Sequence, residues 1–145
     1  MVGKVTIAVL LLVAIVGAVY LFSSFLENPI TTGSLVNNPG EGNVIEITSS
    51  GFTPGTLTIN KGDTVTWINM DTEPHWPASA FHPYHTVYPG SDIKKCGTAE
   101  ESTIFDACQN LAPGESYSFT FNEVGSWGFH DHLNANSFGK IIVVE

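Results

Sequence analysis

The sequence predicts an all-β protein, an antiparallel β-sandwich of about 100 residues carried behind one amino-terminal transmembrane helix. Three observations predict it. Six short segments alternate apolar and polar residues and are rich in β-branched side chains. Turn signals separate them at regular intervals, and no segment beyond residue 43 has a sustained helical period. The 145-residue chain is long enough for one such domain and not for two.

From Val5 to Leu26 the chain is apolar and uncharged, enough for about 30 Å of helix at about 1.5 Å per residue. Lys4 precedes this run and Glu27 follows it, a polarity that keeps the amino end inside and sends the remainder out of the cytoplasm. A cleaved signal peptide is the competing reading, but its apolar core is shorter and ends in a small-residue cleavage site. Residues 1–26 are therefore expected to anchor the chain in the cell membrane as a single pass. Residues 27–43, "ENPITTGSLVNNPGEGN", have the composition of a flexible tether. Residues 44–145 form the expected extracytoplasmic domain.

Within it, strands are expected at "NVIEIT" (43–48), "TLTIN" (56–60), "TVTWIN" (64–69), "SYSFTF" (116–121), "SWGFHDH" (126–132) and "GKIIVV" (139–144). The turns are "TPG" (53–55), "NKGD" (60–63), "APGE" (112–115) and "NEVG" (122–125). Tyr117, Phe119 and Phe121 share one face by the period of two, and Trp67 and Trp127 read as core. Residues 70–112 break this rhythm, and a loop of that length is usually functional or carries structure of its own.

Five Lys and no Arg stand against 14 acidic residues, a net charge of −9. A phosphate-binding surface needs clustered positive charge, so nucleic acid is excluded as a partner. Acidity instead favours cations, whether metal ions or basic protein surfaces. The two cysteines, Cys96 and Cys108, lie in the long loop. Outside the cytoplasm they are expected to form a disulfide, whereas a two-thiolate metal site would call for closer spacing.

All five histidines fall in two segments, 75–85 and 130–132. A single loop histidine is ordinarily a solvated side chain, but confinement to two segments points to a shared ion. His130 and His132 stand at i and i+2 of a strand, so both rings leave one face, about 7 Å apart at the backbone. Neutral imidazole suits copper, zinc, iron and nickel.

The stretches "VTWINMDTEPHW" and "GSWGFHDHLNANSFGKIIVVE" resemble the cupredoxin family, the small blue copper proteins of amicyanin and plastocyanin type. The resemblance covers about residues 44–145 and implies a Greek-key sandwich. It places the family's first histidine ligand at His75, after Val65, Thr66, Trp67, Asn69 and Pro74. With Gly139 as the anchor, it puts Asp131 at the cysteine, Asn134 at the second histidine and Ser137 at the methionine. An aspartate cannot reproduce the short copper–thiolate bond of a blue site, so rapid blue-copper electron shuttling is not expected.

The His-Asp-His run resembles the His-Cys-His of multicopper oxidases, whose cysteine faces the blue site and whose histidines face another centre. Two arrangements stay open. In one, His82 and His85 fold back on His130 and His132, with or without His75, as an all-imidazole site. In the other, His75 and Asp131 hold an ion in the family pocket. A register change of one residue would exchange the two faces. Copper is the expected cofactor, by affinity order and by the resemblance, with zinc or another divalent transition metal as alternatives.

Trp76, beside His75, reads as a packing residue that could also shield the ion. The function expected is copper handling or redox work at a non-blue centre, with a redox or copper-delivery protein as partner. Two alternatives remain. One is an oxidoreductase acting on oxygen species, with Asp131, Tyr84 or Tyr88 as catalytic candidates. The other is a metal-free binding module.

Overall fold

The computed structural model describes residues 42–145. The expected membrane helix and all but the last two residues of the tether lie outside them. No helix among the described residues is long and apolar enough to cross a membrane.

Among the described residues, eight strands form two four-stranded sheets. In chain order they are β1 (Asn43–Thr48), β2 (Gly51–Thr53), β3 (Thr56–Asn60), β4 (Thr64–Asn69), β5 (Pro77–Ser79), β6 (Ser116–Thr120), β7 (Gly125–Asp131) and β8 (Asn134–Val144). One sheet runs β2-β1-β4-β6 and the other β3-β8-β7-β5. The expectation of an antiparallel sandwich is corrected here: β1 pairs with β4, and β3 with β8, in parallel. The chain changes sheets between β2 and β3, again between β3 and β4, and repeatedly thereafter, so some sheet neighbours are not hairpin partners. Alternation with period two records which face is buried but not strand direction.

The faces follow the sequence. Ile45 and Ile47 of β1, Leu57 and Ile59 of β3, Val65 and Trp67 of β4, and Ile141 and Val143 of β8 fill the space between the sheets. Trp67 is fully buried, with Phe105, Tyr117, Phe121 and Phe129 ringed around it at centroid distances of 5.0–6.3 Å. Trp127 packs against this core, as its pattern predicts, and its Nε1–H donates to the Glu123 carbonyl. Phe129 lies so close over its cross-strand partner Gly139 that a Cβ there would collide with Phe129 Cζ. Only glycine fits.

Residues 70–112 are not an open loop. They contain β5, two short 3-10 turns (Ile93–Lys95 and Glu101–Thr103), and the buried residues Tyr88, Ile104, Phe105 and Leu111. Tyr88 is therefore a core residue, and its hydroxyl accepts the Asn122 N–H. The expected disulfide between Cys96 and Cys108 is present. It closes a loop worth about 3 kcal/mol of chain entropy and removes the two-thiolate alternative.

Candidate metal centre

Strand β7 presents functional groups in two directions at its end. Phe129 and Asp131 point inward, whereas His130 points to the outer face of the sheet. The β7–β8 register shifts between His130 and Asp131. β7 ends at Asp131, so His132 lies just past the strand rather than on it, held by its N–H donating to the Trp76 carbonyl. The bulge and this bond aim both histidines at one cluster.

On the inner side, Asp131 is fully engaged. Its Oδ1 accepts the backbone N–H groups of Trp76 and Leu133, at 2.9 and 3.0 Å. Its Oδ2 lies 2.7 Å from His75 Nδ1. The other ring nitrogen of His75 is 3.2 Å from Asp71 Oδ2. The Asp71 carboxyl sits below its usual range, chiefly because it accepts the Thr72 N–H, with His75 adding to the effect. Buried Asn69 fixes this turn, donating to the Glu73 and Leu111 carbonyls and accepting the Asp71 N–H. Asn134 is exposed at the β7–β8 hairpin, and Ser137 lies against Gly51.

The pocket where the resemblance would place copper thus holds a histidine whose two nitrogens both face carboxylates. It also holds an aspartate already engaged with three partners, and neither cysteine of the chain is a free thiol. These residues do not fit a blue copper ion.

On the outer side, His82, His85, His130 and His132 converge, each offering a ring nitrogen within 4.8 Å of the others. His75 is not among them. Ring centroids are 4.8 Å for His82–His132 and 4.9 Å for both His85–His130 and His85–His132. Metal–nitrogen bonds of about 2.0–2.1 Å bring such donors to within about 4.2 Å of one another, so a small inward turn of the side chains closes the set.

Each imidazole is placed differently. His130 faces outward in a cross-strand row with Ala78 of β5 and Phe138 of β8, and Ala78 bridges in turn to Asp106. The small Ala78 leaves room between Asp106 and His130, and the His85 ring fills it. His85 is completely buried, at the end of a turn in which its N–H and that of Tyr84 both donate to the Phe81 carbonyl. Its backbone is left-handed, with φ 59°, a conformation histidine adopts more readily than most residues. His82 is exposed on the same turn.

Asp106 is the residue that sequence reasoning missed. Its buried carboxylate accepts the His85 Nδ1–H, and its Oδ1 also accepts Trp76 Nε1–H at 2.6 Å and the Cys108 N–H at 2.8 Å. With the His85 proton held on Nδ1, its Nε2 carries the lone pair and receives the His132 Nδ1–H at 2.9 Å. Histidine ligands are commonly oriented by a carboxylate in this way. Trp76 therefore ties Asp106 in place, and its ring lies against His132 with centroids 4.5 Å apart.

His130 is the exception. It is 4% exposed, and neither ring nitrogen has a hydrogen-bond partner. An imidazole so placed is costly unless something else meets its nitrogen. Burial, followed by the neighbouring His85, His82 and His132, pushes it down to about 4. His132 is also lowered, by burial first and then by His85 and His82, with Asp106 and Asp131 opposing. The cluster favours neutral imidazole at these two rings, the form that donates a lone pair to a cation.

The described residues thus form a two-sheet sandwich that carries a histidine cluster at the end of its penultimate strand. A family model described as copper binding proteins, plastocyanin/azurin family, matches residues 42–144, and the chain belongs to that family. It is 35% identical over 94 residues to the chloroplastic plastocyanin of Tetradesmus obliquus, covering 63% of this chain and 57% of that protein. Plastocyanin of Scenedesmus fuscus is 33% identical over 94 residues, covering 63% and 85%. The chain thus spans little more than half of the first of these relatives.

Among solved structures, a Cu(I) form of an amicyanin mutant superposes with a TM-score of 0.55 at 23% identity, covering 71% of this chain and 82% of that one. A purple cupredoxin from Nitrosopumilus maritimus gives 0.54 at 22%, covering 72% and 100%. At these identities the structures speak to the fold.

Proposed function

We propose that the chain binds copper through His82, His85, His130 and His132, on the outer face of the second sheet and not in the family's pocket. The protein would do this outside the cytoplasm, anchored by its apolar amino-terminal segment, in copper handling or in electron exchange with a partner protein. The observation that carries the reading is His130, buried against three other imidazoles with both ring nitrogens unpartnered. A cation would take the lone pair of one of these nitrogens.

The family binds copper, and imidazole donors rank copper first among the divalent ions. Bound there, copper would supply a nitrogen-ligated, redox-active cation without a thiolate. The chain's own groups supply the rest. Asp106 keeps the His85 proton on Nδ1, Trp76 keeps Asp106 in place, and Asp106 sets one buried negative charge beside the cation.

Metal analysis and electron paramagnetic resonance on the full chain test this. One copper per chain, nitrogen couplings and no intense blue absorption are expected, with copper lost in H130A/H132A and kept in H75A. Copper lost in H75A and kept in H130A/H132A would place the ion in the family pocket. Protease protection of the full chain in membrane vesicles tests the anchoring and its direction.

A further inference from the structure

The four imidazoles are not equivalent, and their inequality points to an exchangeable coordination position. Three are built in. His85 is buried and held by Asp106, His130 is buried in the β7 strand, and His132 is fixed by its backbone bond to Trp76 and its ring contact with the Trp76 indole.

His82 alone is exposed, and no hydrogen bond to the described residues holds its ring. It touches the cluster only ring to ring, 4.8 Å from His132 and 5.5 Å from His130 between centroids. It sits at the tip of the Phe81–His85 turn, between Phe81 at 71% exposure and the exposed Tyr84. Phe138, 75% exposed and on His130's own cross-strand row, stands on the same outer face of the sheet. The His82 side chain can swing away by rotating about its own bonds, because ring contacts with His130 and His132 are all that hold it among the described residues.

We infer that His82 is a displaceable ligand, and that the place it vacates takes a small one-point donor of azide or imidazole size. This rests on the four-imidazole copper reading. The gap left by one imidazole borders the rings of His130 and His132 on the inside and is open on the side where His82 is exposed, and one vacated position takes one donor atom. The exchange breaks one copper–nitrogen bond to His82 and forms one bond to the incoming donor's lone pair, with no change in oxidation state.

The test uses the full chain loaded with Cu(II), in wild-type, H82A, H85A and H130A forms. Copper content is measured by metal analysis, and azide and imidazole are titrated by optical absorption and electron paramagnetic resonance. H82A is expected to keep one copper per chain with affinity reduced by about tenfold or less. It should bind azide at least about tenfold more tightly than wild type, and added imidazole should return its resonance spectrum to that of wild type. H85A and H130A should lose the copper.

An H82A chain that loses copper as readily as H85A, or that binds azide no better than wild type, overturns the inference while leaving the four-imidazole site standing. Wild-type protein without copper, or copper retained in both H85A and H130A, overturns the site itself and the exchange with it.

Discussion

Replacing Asp106 by Asn is the most informative single change in this site. The two side chains have the same shape, so Trp76 Nε1–H and the Cys108 N–H can still donate to the remaining oxygen. The amide nitrogen then faces His85 Nδ1–H, and two donors confront each other. His85 relieves the conflict by moving its proton to Nε2, the nitrogen that faces His132, and so blocks the donor aimed at the cluster. Loss of an orienting carboxylate typically lowers metal affinity by about 10–100-fold, or about 1.4–2.7 kcal/mol. Removal of a buried negative charge beside the cation acts in the same direction. Competition against a chelator of known affinity measures the change, and thermal unfolding of the metal-free protein separates it from loss of fold. D106N that folds normally and binds copper as tightly as wild type would refute the role of Asp106 and the tautomer assigned to His85.

Other expectations follow from the same geometry. His130→Leu removes two buried, unpartnered nitrogens, each costing about 1–3 kcal/mol; its metal-free form should melt above wild type, and copper should no longer raise the melting temperature. Because His130 is pushed down to about 4 in the fold from about 6.5 when unfolded, only the unfolded chain takes up this proton between those values. The metal-free protein should therefore lose stability as pH falls from 6.5 towards 4, with no contribution from this group above 6.5. Denaturant titrations across that range, compared with His130→Leu, isolate the effect. Gly139→Ala drives a methyl into Phe129 Cζ and towards the Gly55 carbonyl oxygen; overpacking of this kind costs about 1–3 kcal/mol, visible as a lower melting temperature. Loss of the disulfide in C96S/C108S should destabilise the fold by about 3 kcal/mol in the chain-entropy picture, read by chemical unfolding.

Much of the sandwich was legible because burial leaves a two-residue rhythm. "TVTWIN" announces Trp67 as core, and the strand at 64–69 ends where it was expected. β2 and β5 were not legible, since three residues are too few to display a period. The parallel pairings were hidden for a different reason: alternation is the same whichever way the neighbour runs.

In the site, the opposition of Asp131 to His130 followed from strand geometry. The company kept by His82 and His85 did not, because the path of a 40-residue loop is decided by distant contacts. His75 was grouped with them as an option, and the fold ties it instead to Asp131 and Asp71. Asp106 left one faint signal, a carboxylate within the apolar run "TIFDAC", where burial without a partner would be costly. Trp76 was read as packing, and its indole N–H proved to be the part that matters.

The segment that brings His82 and His85 to the sheet is fastened on both sides of its histidines, by the pairing of Ala78 with Asp106 and by Tyr88 and Phe105 in the interior. Grafting four histidines onto another sandwich would therefore not recreate the centre. The transplant has to bring the whole insertion with its aromatic anchors, and the recipient must have a hollow to receive them.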